Sequence, residues 1–145
     1  MVQVYLTGAV SDFDDPFAWH DDISNDSRFE HHTFINPYTL NDFELGDDDV
    51  YERPHEVVEP ALEAVSESDA MLVHWDDYAF LVGTAMEIMQ AYASDVPVVV
   101  WYQGWRDKLS PWILYHTRGT FEDLDTAVKV ALTFGGDEYI IKEAI

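Results

Sequence analysis

The chain has no cysteine, which excludes disulfides and thiolate metal sites. It is also poor in positive charge, with 7 Lys and Arg against 29 Asp and Glu. No basic patch is available to release counterions from phosphates, so direct binding to DNA or RNA is disfavoured. No apolar run approaches the roughly 18–20 residues of a membrane span. No basic stretch followed by an apolar one precedes the first strand, so no signal peptide is expected. Repeats and low-complexity tracts are missing too. These absences make a cytoplasmic protein, or one assembled into a virus particle, the expected setting.

What is present is a 145-residue chain, 48% hydrophobic, the size of one domain over residues 1–145 with one sizeable core. Its formal net charge is −22, and the acids are spread along the whole chain instead of forming a tail. At low ionic strength such a coat repels itself and opposes compaction. Molar salt shortens the screening length to about 3 Å and removes that penalty. The composition reads as a protein of a salt-accumulating halophile or of its virus, with a high-salt cytoplasm or a virion as its place.

The most informative stretch runs from Ser68 to Trp101. Segments 70–75 and 96–101 are short, continuously apolar and valine-rich, the pattern of parallel strands covered on both faces. A helix is expected over 83–94 between them. Further strands are expected at 2–7, at 32–36 and weakly near 115–119, and helices around 16–26, 50–67 and 122–133. Alternating strands and helices argue for an open parallel sheet with helices on both faces. In such sheets ligands bind where strands end and the following helices begin. Glu87 falls there, about one turn into its helix, and is a candidate nucleophile. The same residues also fit a capping box, with Thr84 as cap and Glu87 folding back to the cap amide. The segment from Pro37 to Asp49 reads as a long loop over the pocket mouth.

The six histidines form no helical i, i+4 zinc pair with a glutamate. No metal and no cofactor are expected. His20, beside Asp21 and Asp22, reads as solvated surface. His74 lies at the end of a buried strand near the proposed pocket, where a core-edge histidine bonded to backbone is the preferred reading.

Taken together, Val4–Ala9 (VYLTGA), FINPY at 34–38, SDAMLV at 68–73, GTAMEI at 83–88 and PVVVW at 97–101 resemble the nucleoside 2-deoxyribosyltransferase family. Deoxynucleoside monophosphate N-glycosidases share its superfamily. The resemblance covers roughly residues 2–133, and its specific part is the Gly83-x-x-x-Glu87 core. It implies a flavodoxin-like, Rossmann-like five-stranded sheet of order 2-1-3-4-5. It also implies a retaining double displacement at the N-glycosidic bond of a 2′-deoxynucleoside or its monophosphate. Glu87 would attack the anomeric carbon, and a second base or water would release the glycosyl-enzyme. Tyr5 matches a first-strand tyrosine that the family places beside the glutamate. Gly8, Asp76, Asp77, Gly83 and Thr84 are the expected substrate-binding residues. Ser110, in Leu109–Ile113 (LSPWI), is expected to reach a phosphate of a neighbouring subunit, though Ser110-Pro111 equally fits a helix start. Phe13, Phe17 and Trp19 fall where relatives hold the base, and Tyr139 where the carboxyl terminus reaches a neighbour's site. Two positions depart from the family pattern: Ala61 and Leu81 stand where polar substrate contacts are usual. The expected partner is a small nucleoside or nucleotide, in a homo-oligomer whose contact includes 83–94 and 109–116. The alternative is a non-catalytic member of the same fold that binds nucleotide or serves a structural role.

Overall fold

The computed structural model describes residues 1–10 and 15–137. Its elements alternate: β1 (Gln3–Gly8), α1 (Ala18–Ser24), β2 (Thr33–Ile35), α2 (Pro54–Glu67), β3 (Ala70–Asp76), α3 (Val82–Ala93), β4 (Val98–Gln103), α4 (Pro111–His116), β5 (Gly119–Phe121) and α5 (Leu124–Phe134). The strands form one parallel sheet in the order β2-β1-β3-β4-β5. Val4 lies opposite Ala70, Gly8 opposite His74, and Met71 opposite Val98. The expected fold class and strand order are therefore the ones found.

The central strands read as unbroken apolar runs because both of their faces are covered. Alternate side chains then feed two cores. Val4, Leu6, Ala70, Leu72 and Val99 pack with Trp19 and Ile23 of α1 and with Ala127, Val128, Ala131 and Leu132 of α5. Tyr5, Met71, Val73, Val98 and Val100 pack with Val65 of α2, Ile88 and Ala91 of α3, and Ile113 of α4. A core truncation such as Leu72→Ala removes a side chain with no exposure, at a cost of about 2–5 kcal/mol.

Three boundaries differ from expectation. The fifth strand is Gly119–Phe121, and residues 111–116 ahead of it form α4. The reason is local: Ser110 Oγ accepts the Trp112 N–H at 3.3 Å and Pro111 occupies the first turn, so the segment starts a helix. Residues Asp48–Tyr51 form a 3-10 turn capped by Asp47, and α2 begins only at Pro54. Helix α1 is shorter than expected and gives way to a second 3-10 turn, Ser27–Phe29, capped by Asp26. Among the described residues, no helix is long and apolar enough to cross a membrane.

Candidate active site

Period-two alternation along β1 sends Tyr5 and Thr7 to the face covered by α3. On α3, Thr84, Ile88 and Ala91 make the buried stripe, and Glu87, three residues after Thr84, lies at its edge. The two patterns meet. Tyr5, with no exposed surface, donates its hydroxyl to Glu87 Oε2 in a very short hydrogen bond. Thr7 Oγ1 donates to Glu87 Oε1 at 2.7 Å and lies 3.2 Å from Thr84 Oγ1. Both carboxylate oxygens are thus held by side chains that the sheet and helix fix in place. The capping-box alternative is not what the structure contains. Helix α3 starts at Val82 with Leu81 as its cap and no capping side-chain bond, and Glu87 points to β1.

Burial raises the Glu87 carboxyl above its ordinary range, and the bonds from Tyr5 and Thr7 pull it part of the way back. Tyr5 is raised far above a normal phenol, first by burial and then by the Glu87 charge and hydrogen bond. An ionised Glu87 therefore keeps its neighbour protonated and donating.

Glu87 opens on a cavity of about 280 Å³ at the carboxyl edge of the sheet. This sits just below the roughly 300–1,000 Å³ usual for small-molecule sites. Thr7, Gly8, Gly83 and Thr84 surround the carboxylate; Val57, Val58, Ala61 and Leu62 of α2 form an apolar wall; Tyr38 and Asn41 come from the segment after β2. Gly8 has φ +121°, and a Cβ there would lie 2.1 Å from the His74 carbonyl oxygen, so only glycine lets β1 end so close to β3. At Gly83 a Cβ would meet nothing within 4 Å; a side chain there is not excluded by packing.

The structure thus brings Tyr5, Gly8, Gly83, Thr84 and Glu87 together. It does not bring Asp76, Asp77 and Ser110 to the same place. These three line a neighbouring depression with Arg106, which meets the cavity at Leu81. Asp76 accepts the Tyr78 N–H at 2.9 Å, and Asp77 accepts from the Tyr102 hydroxyl at 2.5 Å. Ser110 caps α4. His74 turns away from the cavity to the opposite face, where it stacks on Trp101 at 4.0 Å and lies 3.2 Å from the Ala9 carbonyl. His20 is not solvated: α1 turns it inward beside Trp19, 2% exposed, and burial lowers its pKa to about 4. Trp19 belongs to that closed face, with its indole N–H on the Ala9 carbonyl at 3.0 Å. Phe17 lies against Tyr38, ring centroids 4.9 Å apart. Phe13 and Tyr139 lie outside the described residues. The long loop contributes Pro37, Tyr38 and Asn41 to the cavity, and Ala61 and Leu81 line it as apolar contacts.

Sequence reasoning missed Thr7, Tyr38 and Asn41. Alternation from Tyr5 was a sufficient signal for Thr7; nothing local marks the other two. It also missed a cluster of His31, His32 and Asp137, whose ligand-type atoms lie within 4.8 Å of one another. There His32 Nδ1 accepts the Val2 N–H at 3.0 Å and Nε2 lies 2.6 Å from Asp137. Through His32 the residue before β1 meets the segment after α5.

No family model matches the chain, and none of the curated proteins matches it. Among solved structures, a 2-deoxyribosyltransferase from the psychrotolerant bacterium Bacillus psychrosaccharolyticus is similar, with a TM-score of 0.63. The match covers 86% of this chain and 88% of that one at 21% sequence identity. At that identity the likeness is one of fold.

Proposed function

We propose that this protein transfers or hydrolyses the 2-deoxyribosyl group of a 2′-deoxynucleoside, or of its monophosphate, through a covalent glycosyl-Glu87 intermediate. The observation that carries the reading is a carboxylate gripped on both oxygens by Tyr5 and Thr7 at the mouth of a cavity. The similar fold of a 2-deoxyribosyltransferase supports it. An Oε atom of Glu87 bonds to C1′ as the bond from C1′ to the base nitrogen breaks with its electron pair on the base. Water or a second base then attacks C1′ and returns the carboxylate. Gly8, Gly83 and Thr84 border the sugar. Asp76, Asp77 and Ser110 contact only the part of a substrate that extends past Leu81.

The chemistry calls for a small-molecule partner and for no cofactor. A second copy of the chain is the partner proposed for the exposed apolar side chains beside the site, Met86, Met89 and Trp112. A second reading, a non-catalytic nucleotide-binding or structural protein, is favoured by Ala61 and Leu81, which leave the cavity wall apolar.

The test is to incubate the protein in molar KCl with a panel of deoxynucleosides and monophosphates, with and without acceptor base, and to acid-quench it for peptide mass analysis. Base release with a deoxyribosyl adduct on the peptide bearing Glu87 is expected. A panel with no turnover and no adduct selects the non-catalytic reading.

A further inference from the structure

A base that leaves C1′ takes the bonding pair with it and departs as an anion unless it is protonated. In a cavity walled by Val57, Val58, Ala61, Leu62, Leu81 and Met86, an unprotonated base anion is poorly solvated. A proton donor is therefore needed, and the candidates are few. Among the described residues lining the cavity, Glu87 and Tyr38 are the only ionisable side chains. Glu87 is unprotonated when it attacks. Tyr5 is fully buried behind it, with its hydroxyl committed to Glu87. Asn41 has no proton to transfer, and its Oδ1 already accepts the Phe43 N–H at 2.9 Å.

Tyr38 is placed differently. It sits in the 3-10 turn Pro37–Thr39, where Asn36 Oδ1 accepts the Tyr38 N–H at 3.1 Å and Thr39 Oγ1 donates to the Asn36 carbonyl at 2.7 Å. Its ring rests on Phe17, and its hydroxyl has no hydrogen-bond partner among the described residues. We infer that Tyr38 is the acid that protonates the departing base and, in the second half-reaction, the base that takes the proton of the incoming nucleophile. This rests on the reading of Glu87 as nucleophile.

In the first half, Glu87 Oε bonds to C1′, the bond from C1′ to nitrogen breaks, and the Tyr38 proton moves to the base. A tyrosinate remains beside a neutral glycosyl ester. In the second half, the tyrosinate takes the proton of the entering water or base N–H. That atom bonds to C1′, and the ester oxygen leaves as the Glu87 carboxylate. The charge sequence favours this exchange. In the resting site, burial and the Glu87 charge both raise the Tyr38 phenol. Ester formation removes the charge, so Tyr38 becomes a stronger acid as the base departs.

The test compares Tyr38→Phe with wild type in single turnover on two substrates. 2′-Deoxyinosine needs a proton for its base to leave neutral; 7-methyl-2′-deoxyguanosine, already cationic, does not. Tyr38→Phe should slow the first by about 100-fold or more and the second by less than about 3-fold, and should lose the alkaline limb of the pH–rate profile. Equal slowing on both substrates, or none on the first, overturns the inference. If the variant fails to fold, wild type decides it: a solvent deuterium isotope effect must appear with 2′-deoxyinosine and vanish with the methylated substrate. Wild type that turns over neither substrate, or Glu87→Gln that turns over either, defeats the reading of Glu87 instead.

Discussion

Along β1, Val4 and Leu6 go under α1 and α5, while Tyr5 and Thr7 go under α3. The face covered by α1 and α5 is closed: among the described residues its buried polar groups include His20, with no partner at either ring nitrogen, and His74, which bonds to backbone and Gln103. On the other face the polar groups converge on one carboxylate beside open space. Both faces bury polar atoms at a cost. On the closed face that cost is met by backbone pairing or by keeping a ring neutral. On the open face it is met by other side chains, which leaves a carboxylate at the edge of the cavity. The contrast separates polar groups paired or neutral within the fold from a carboxylate held beside open space, although the same strand and helix periodicities position both.

The largest expected effect is on the open face. Glu87→Gln keeps the shape but cannot form a glycosyl ester, so turnover should fall by on the order of 10³-fold or more. Burial raises the Glu87 carboxyl, so its ionisation works against stability as pH rises through the folded value. The variant should therefore melt no lower than wild type at pH 8. A melting point several degrees lower would make Glu87 a structural residue and erase the contrast between the faces.

Salt should come next. The chain should lose structure or assembly below roughly 0.5 M salt as self-repulsion goes unscreened. The faces should not yield together. On the closed face Arg28 contacts Asp26 and, across to α5, Asp125 at 2.6 Å. On the open face α2 carries Glu56, Glu59, Glu63 and Glu67, with Arg53 at its start as the neighbouring cation. Hydrogen exchange on lowering KCl should rise in α2 before α5. A melting point constant from low to multi-molar KCl refutes the salt dependence, and simultaneous exchange refutes the difference between faces.

The smallest effect belongs to the closed face. His20 is neutral when folded down to about pH 4 but binds a proton near pH 6.5 when unfolded. Its contribution is thus complete above pH 6.5 and is lost as pH falls toward 4, about 2 kcal/mol between pH 8 and pH 5. His20→Leu should gain on wild type by that amount over the same interval in denaturant titrations, with turnover unchanged. A pH-independent difference would mean that His20 is not sealed from solvent.

The sheet was legible because its strands are covered on both sides: runs such as MLV and VVVW admit few other fates. The placing of Glu87 at the sheet edge was legible from strand and helix order, and its contact with Tyr5 from the family resemblance; Thr7 was missed although alternation from Tyr5 marks it. Tyr38 and Asn41 were not, because their approach depends on how a loop of 3-10 turns folds over the sheet edge, and no periodicity encodes that. His20 was misread for a related reason. Its acidic neighbours suggest water, yet the rotation of a seven-residue helix, set by Trp19 and Ile23, decides which side faces in. The start of α4 was legible in Ser110-Pro111, whereas its last residues, Tyr115 and His116, fall in the segment expected as strand five.

Gly8 carries a consequence for how this protein tolerates change. The closed face reaches through it: the His74 carbonyl accepts the Ala9 N–H at 2.9 Å and leaves no room for a Cβ on the preceding residue. Yet Gly8 also lines the open cavity, next to Thr7. A mutational library aimed at the substrate would find this position silent to selection for specificity, because every side chain there breaks the strand seam before it meets a ligand. Adaptation of the site has to come from the α2 wall and the loop at Tyr38, where the backbone is not shared with the other face.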